Sequence, residues 1–250
     1  MEWLLKHDRW VVITCLLAVI TLAWAYIVAG AEMDTNRMSR TSDSMTQTWT
    51  PFYFLLMFVM WFVMMVAMML PSTTPMILLF SAINRKKDER GSSVVSTGVF
   101  VTGYVAAWGG FSIIATSFQW GLEELTLLTP MMASASIPFG SALLIAAGIY
   151  QLTPLKHACL LHCRSPINYL GHHWRSGKMG ALIMGLEHGL FCLGCCWVLM
   201  ALLFYGGIMN LKWIIGLALF VLLEKVTPAG HWIGGLSGIV LIIWGTTILL

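Results

Sequence analysis

The sequence predicts an all-α protein, a polytopic transmembrane bundle of about seven helices that forms one membrane domain over residues 1–250. Three observations carry this. Of the 250 residues 58% are hydrophobic and 10% charged, with a mean hydropathy of +0.82, whereas soluble domains run about 45–50% apolar and about 25% charged. Successive apolar runs approach the roughly 20 residues that a membrane-crossing helix needs. No segment alternates polar and apolar residues as a barrel strand does, and lipid offers open peptide groups no partner, so the spans read as helices.

The first span is expected at 10–29. Lys6 and Arg9 precede it and Ala29-Gly30-Ala31 resembles a cleavage site, but the run exceeds the roughly 7–15 residues of a signal core and reads as a retained anchor. The polar stretch from Glu32 to Thr50 reads as an exposed loop carrying Met33, Met38 and Met45. Spans at 52–72 and 94–118 follow, and a kink is expected where Pro71 and Pro75 remove helical hydrogen bonds from the second. A fourth span at 138–157 holds Thr153-Pro154, which should bend it, with Gln151 one turn deeper as an interhelical hydrogen-bonding residue. Spans at 180–205, 210–226 and 232–250 complete the set. The sixth is the shortest, bracketed by Lys212 and Glu224-Lys225, and needs tilt or lysine snorkelling to cross.

Net charge is +3 with no basic block, which argues against a nucleic-acid partner. With the N-terminus in the cytoplasm, the inner segments hold 11 of the 14 Lys and Arg residues, as positive-inside orientation requires. The expected place is the inner (cytoplasmic) membrane of a bacterium, multi-pass, with the C-terminus outside. Six cysteines, five of them in two tight groups inside or beside spans, do not form a secreted disulfide framework.

Those two groups carry the chemistry. In the fifth span His188, Cys192, Cys195 and Cys196 recur at i, i+4, i+7 and i+8 with Glu187 beside them, one stripe of a helix. Near the inner end of the fourth, Cys159, His162 and Cys163 fall at i, i+3 and i+4. Thiolate and imidazole suit copper(I), zinc or iron–sulfur clusters. Cysteine also packs well between membrane helices, which explains Cys15, but an ionisable Glu and His in hydrocarbon cost enough to indicate function. The expected metal ligands are thus Glu187, His188, Cys192, Cys195, Cys196, Cys159, His162 and Cys163. His172 and His173 read as solvated. In the second span Met57, Met60, Met64 and Met68 share a face widened by Met65 and Met69. Packing is the preferred reading of that stripe, with Met64 and Met68 retained as candidate soft ligands. The expected cargo is a transition metal, copper(I) first and zinc second. The longer stripe should hold a main site at His188 and Cys192, a relay at Cys195 and Cys196 and an exit group at Cys159, His162 and Cys163. Gln151 and Glu224 are expected to approach the same cavity.

From Trp61 to Gly245 the sequence resembles a bacterial family of predicted metal-binding integral membrane proteins. The resemblance rests on Trp61, Ala67-Met68-Met69-Leu70-Pro71 with Pro75, Gly103-Tyr104, Trp108 and Tyr150-Gln151-Leu152-Thr153-Pro154-Leu155-Lys156. It continues through Cys159, Cys163-Arg164-Ser165-Pro166, Gly185, His188-Gly189, Cys192 and Gly194-Cys195-Cys196-Trp197. Met200, Met209-Asn210-Leu211 and Glu224-Lys225 with Pro228 complete it, and the first 50 residues carry no signature. The resemblance implies metal binding in a membrane.

Three functions compete. The first is copper transport or delivery to a membrane cuproenzyme: Met33, Met38, Met45, Met131 and Met132 outside, the second-span stripe and inner Cys and His would form a series from weak to strong soft ligands. No Gly-rich phosphate loop is present to power it. The second is a thiol–disulfide oxidoreductase using the C-x-x-C of Cys192 and Cys195. The third is a non-catalytic accessory subunit of a membrane metalloenzyme. No catalytic residue is identified, so a non-enzymatic role is preferred. The expected partners are membrane lipid and a metal donor, a metal acceptor or a membrane metalloenzyme. Haem at His188 ranks low without a C-x-x-C-H motif.

Overall fold

Apolar residues dominate every long segment, so helix formation satisfies the backbone locally while side-chain packing decides which faces meet. In the computed structural model, which describes residues 8–38, 49–88, 97–129 and 132–250, the chain is an all-α bundle. Its helices are α1 (Asp8–Met38), α2 (Pro51–Asp88), α3 (Thr97–Glu124), α4 (Ile137–Gln151) and α5 (Pro154–Arg164). They continue as α6 (Pro166–His173), α7 (Gly177–Ala201), α8 (Leu203–Gly206), α9 (Leu211–Val226) and α10 (Gly230–Leu249). Among the described residues no strand forms; a single bridge joins Leu128 and Ser134.

Among the described residues five helical segments are long and apolar enough to cross a membrane, or six if the bent pair α4 and α5 is one span. The expected fourth span at 138–157 is therefore broken. Proline disfavours the α conformation at the residue before it, and Thr153 is extended (φ −75°, ψ 146°), its side chain capping α5 by accepting from the Lys156 N–H at 3.4 Å. The two helices meet at 64°. α9, at 16 residues, is about 24 Å long by helical rise, short of the roughly 30 Å hydrocarbon core.

One other expectation shifts. α1 runs on to Met38, so the polar stretch from Glu32 begins as helix rather than as loop. Met45 and Met131, with the side chains of Met33 and Met38, lie outside the described residues. α2 continues unbroken through Pro71 and Pro75. Between the two prolines Ser72 and Thr74 donate from their side chains to the carbonyls of Met69 and Leu70, at 2.9 Å each, back-bonding to the preceding turn.

The closest helix pairings are α3 with α7 and α4 with α10. Glycine makes the first possible: a Cβ at Gly103 would run into the Leu182 backbone, and one at Gly185 into the Phe100 carbonyl. Small residues let apolar helices approach to backbone contact where no hydrophobic force separates protein from lipid. α7 is thereby centred in the bundle, touching α3 on one side and α5 on another. Gly185→Val should push α3 from α7 and destabilise the bundle by about 1–3 kcal/mol. A lowered unfolding midpoint in detergent checks this, and an unchanged midpoint would refute the close-packing account.

Candidate metal centre

The centre of the bundle holds sulfur. α7 buries His188, Cys192, Cys195 and Cys196 together, because the i, i+4, i+7 and i+8 spacing lies on the face turned inward. All the described cysteines are free thiols. Cys195 and Cys196 each donate to the Cys192 carbonyl at 3.0 Å. Their sulfurs then reach different helices. Cys195 Sγ lies 4.0 Å from Cys163 Sγ on α5, and Cys196 Sγ lies 3.9 Å from Met69 Sδ on α2. Two sulfurs sharing one ion at about 2.3 Å each would stand roughly 3.8–4.6 Å apart, from tetrahedral to linear geometry. Both pairs fall inside that window.

Cys192 adds polar contacts to its neighbouring thiols. Lys225 of α9 donates from Nζ to Cys192 Sγ at 2.9 Å and to Ser72 Oγ at 3.2 Å. The Tyr104 hydroxyl lies 3.1 Å from the same sulfur and donates to the Met69 carbonyl at 3.3 Å. One turn away, His188 Nε2 pairs with Thr73 Oγ1 at 3.0 Å, and its ring sits among those of Phe100, Tyr104 and Tyr169. His188 Nδ1 is buried with no hydrogen-bond partner among the described residues. Among those residues no group of three or more His, Cys, Asp or Glu side chains is arranged to hold one metal ion.

The remaining expected ligands divide. Cys159 packs its sulfur over Gly194, where a Cβ would come within 2.8 Å of it. Cys163, expected to leave with the exit group, instead faces the α7 thiols, because the bend at Thr153 turns α5 against α7. His162 stacks on Phe191 with ring centroids 4.2 Å apart, and its Nδ1 engages the Ala158 carbonyl at 2.9 Å. Glu187 turns outward to Arg175 at 2.7 Å and accepts from the Tyr169 hydroxyl at 3.4 Å. Burial, with the Glu187 carboxylate beside it, raises the Tyr169 phenol above its ordinary range. Met64 and Met68 are buried in the core, and it is Met69 whose sulfur meets a thiol. The His172 side chain lies outside the described residues.

Gln151 and Glu224 do not join the thiols. They surround Lys156, whose ammonium donates to both and forms a fully buried ion pair with Glu224. Gln151 also donates to Ser237 of α10 at 2.9 Å. Removing one member of such a pair strands a buried charge, whereas removing both need not. Lys156→Met should thus lower stability by about 3–5 kcal/mol, and Lys156→Met with Glu224→Met should recover much of it. Chemical unfolding of the two variants checks this; a double variant as unstable as the single would contradict it.

The arrangement is a set of soft donors, thiol and thioether, with one buried cation beside it. A sequence profile described as PpoB2, copper chaperone, matches residues 58–248. The chain belongs to the PpoB2 copper chaperone family. No curated protein and no solved structure matches it. The matched region spans the residues of this centre from Met69 to Lys225 and omits α1. Sulfur donors fit a copper-related role because thiolate and thioether select copper(I) over hard ions.

Sequence reasoning missed Lys225, Tyr104, Ser72 and Thr73. Lys225 read as a charge flanking a short span. The available signal was Glu224-Lys225 at the end of a segment too short to carry both charges out to water.

Proposed function

We propose that the protein receives copper(I) among its buried sulfurs and hands it on to a membrane cuproenzyme or another acceptor. The observation that carries this is the pair of interhelical sulfur contacts, Cys196 to Met69 at 3.9 Å and Cys195 to Cys163 at 4.0 Å. Each pair joins α7 to a different helix, so an ion can move from thioether–thiol to thiol–thiol coordination by exchanging one neighbour at a time. Cys159, one turn from Cys163 on α5, is the next donor along. Paired donors support copper(I) over zinc, which takes four ligands in structural sites and three plus water in catalytic ones. The orphaned His188 Nδ1 is a nitrogen donor at the edge of this path.

Copper(I) titration of detergent-purified protein against a chromophoric chelator tests the site. Cys195→Ser and Cys163→Ser should each weaken binding by roughly a hundredfold, about 3 kcal/mol, while Cys15→Ser, on exposed α1, should not change it. Equal copper affinity in all three variants would remove the proposal.

The dithiol reading has its own support in the Cys163 and Cys195 sulfurs, which approach across two helices. Cys192 and Cys195, the C-x-x-C of the sequence, instead lie on one unbroken helix. Oxidised protein should then yield a Cys163–Cys195 cross-linked peptide if electron transfer, rather than copper, is the function.

The membrane reading places the chain in a bacterial inner membrane with the N-terminus in the cytoplasm. Two of the eleven inner cations, Lys156 and Lys225, are interior groups with polar partners, so orientation rests on the remaining nine against three. Reporter fusions after Arg90 and Lys178 should read out in the cytoplasm, and a periplasmic signal at either would reverse the assignment.

A further inference from the structure

Among the described residues, the sulfur site contains a positive charge with no carboxylate in direct ion-pair contact. Lys225 is 8% exposed, and its two acceptors are a serine hydroxyl and the sulfur of Cys192. The adjacent carboxylate, Glu224, is taken by Lys156. A buried ammonium needs an anion nearby, and the groups that face this one from α3 and α7 are Tyr104 and the thiols Cys192, Cys195 and Cys196. A metal bound among those thiols must therefore form a complex whose charge complements Lys225.

Metal binding deprotonates thiols. Two thiolates around a monovalent ion, as the Cys163–Cys195 pair would supply, make a complex of charge −1, and with Lys225 the cluster is neutral; the Cys196–Met69 pair, one thiolate and a neutral thioether, lies outside this count. The same two thiolates around a divalent ion make a neutral complex, and Lys225 leaves the cluster at +1 in a dry interior. An uncompensated buried charge is costly. A third thiolate would restore neutrality for a divalent ion, but among the described residues no three such donors are arranged to hold one ion. We infer that Lys225 is the specificity-determining residue of the proposed site, admitting a monovalent soft ion and rejecting divalent ions of similar softness by charge. This inference rests on the copper reading above and adds to it the means of choosing between ions that thiolates bind equally readily. The fixed position of Lys225 supports it: Ser72 on α2 takes one N–H and Cys192 on α7 another, so the ammonium is held at the sulfur rather than free to snorkel away.

The test uses silver(I) as monovalent probe and cadmium(II) as divalent probe on the full-length protein in detergent, by competition titration. Lys225→Met removes the charge and keeps the apolar stem. It should weaken silver binding by about tenfold and strengthen cadmium binding by about tenfold, a fall of about a hundredfold in the silver-to-cadmium ratio. Lys225→Arg retains the charge and should hold the ratio within about threefold of wild type. Simple disruption of packing would weaken both ions together and leave the ratio in place, which would overturn the inference. If Lys225→Met is not monodisperse, Lys225→Gln carries the same expectation, and wild-type protein that binds cadmium as tightly as silver overturns the inference without any variant. Failure of the site itself has a different signature: silver affinity unaffected by Cys195→Ser and Cys163→Ser. A ratio unmoved by Lys225→Met, with silver still lost in the cysteine variants, refutes the role of Lys225 alone.

Discussion

The arrangement depends on two adjacent side chains at the end of α9. Glu224 binds Lys156 on α5, and Lys225 binds Cys192 on α7. Both ammonium groups are buried in an apolar bundle, where leaving either without a partner costs several kcal/mol. Neither α5 nor α7 can withdraw from α9 without exposing that cost. The two cysteine-bearing helices are consequently held in register, and Cys163 and Cys195 meet because their helices share a partner rather than through any strong attraction of their own.

This anchoring lets a short helix organise the buried centre. α9 is too short for an unstrained crossing, yet it carries the charges that organise its neighbours. The break between α4 and α5 has the same origin. Thr153-Pro154 forbids a continuous helix, and the resulting turn brings Lys156 under Glu224 and Cys163 toward α7. On the opposite side, glycine contact between α3 and α7 sets the distance at which the Tyr104 hydroxyl reaches Cys192. Polar anchoring on one flank and close apolar packing on the other confine α7 from both directions.

The chemistry of the centre follows from what it buries. Sulfur is tolerated in an apolar interior far better than carboxylate, since a neutral thiol or thioether demands little solvation. Glu187 illustrates the contrast: although it neighbours His188 in sequence, it turns away to Arg175 and the periphery. In this member of a family described as copper chaperones, the buried centre combines thiols and a thioether with the Lys225 ammonium, which donates to the Cys192 sulfur.

Much of the fold was legible in the sequence. Apolar run lengths and the absence of alternation point to a helical bundle because backbone satisfaction in an apolar medium is a local matter, settled within each helix. The helical stripe of His188, Cys192, Cys195 and Cys196 was equally legible, since periodicity alone puts residues on one face. The choice of partners was not. Whether Met64 or Met69 meets a thiol, whether His162 turns to sulfur or to Phe191, and whether Lys225 snorkels or points inward depend on how helices distant in sequence rotate against one another. Periodicity specifies which residues share a face; only tertiary packing determines what that face meets, because buried charges and close-packed glycines constrain several helices at once.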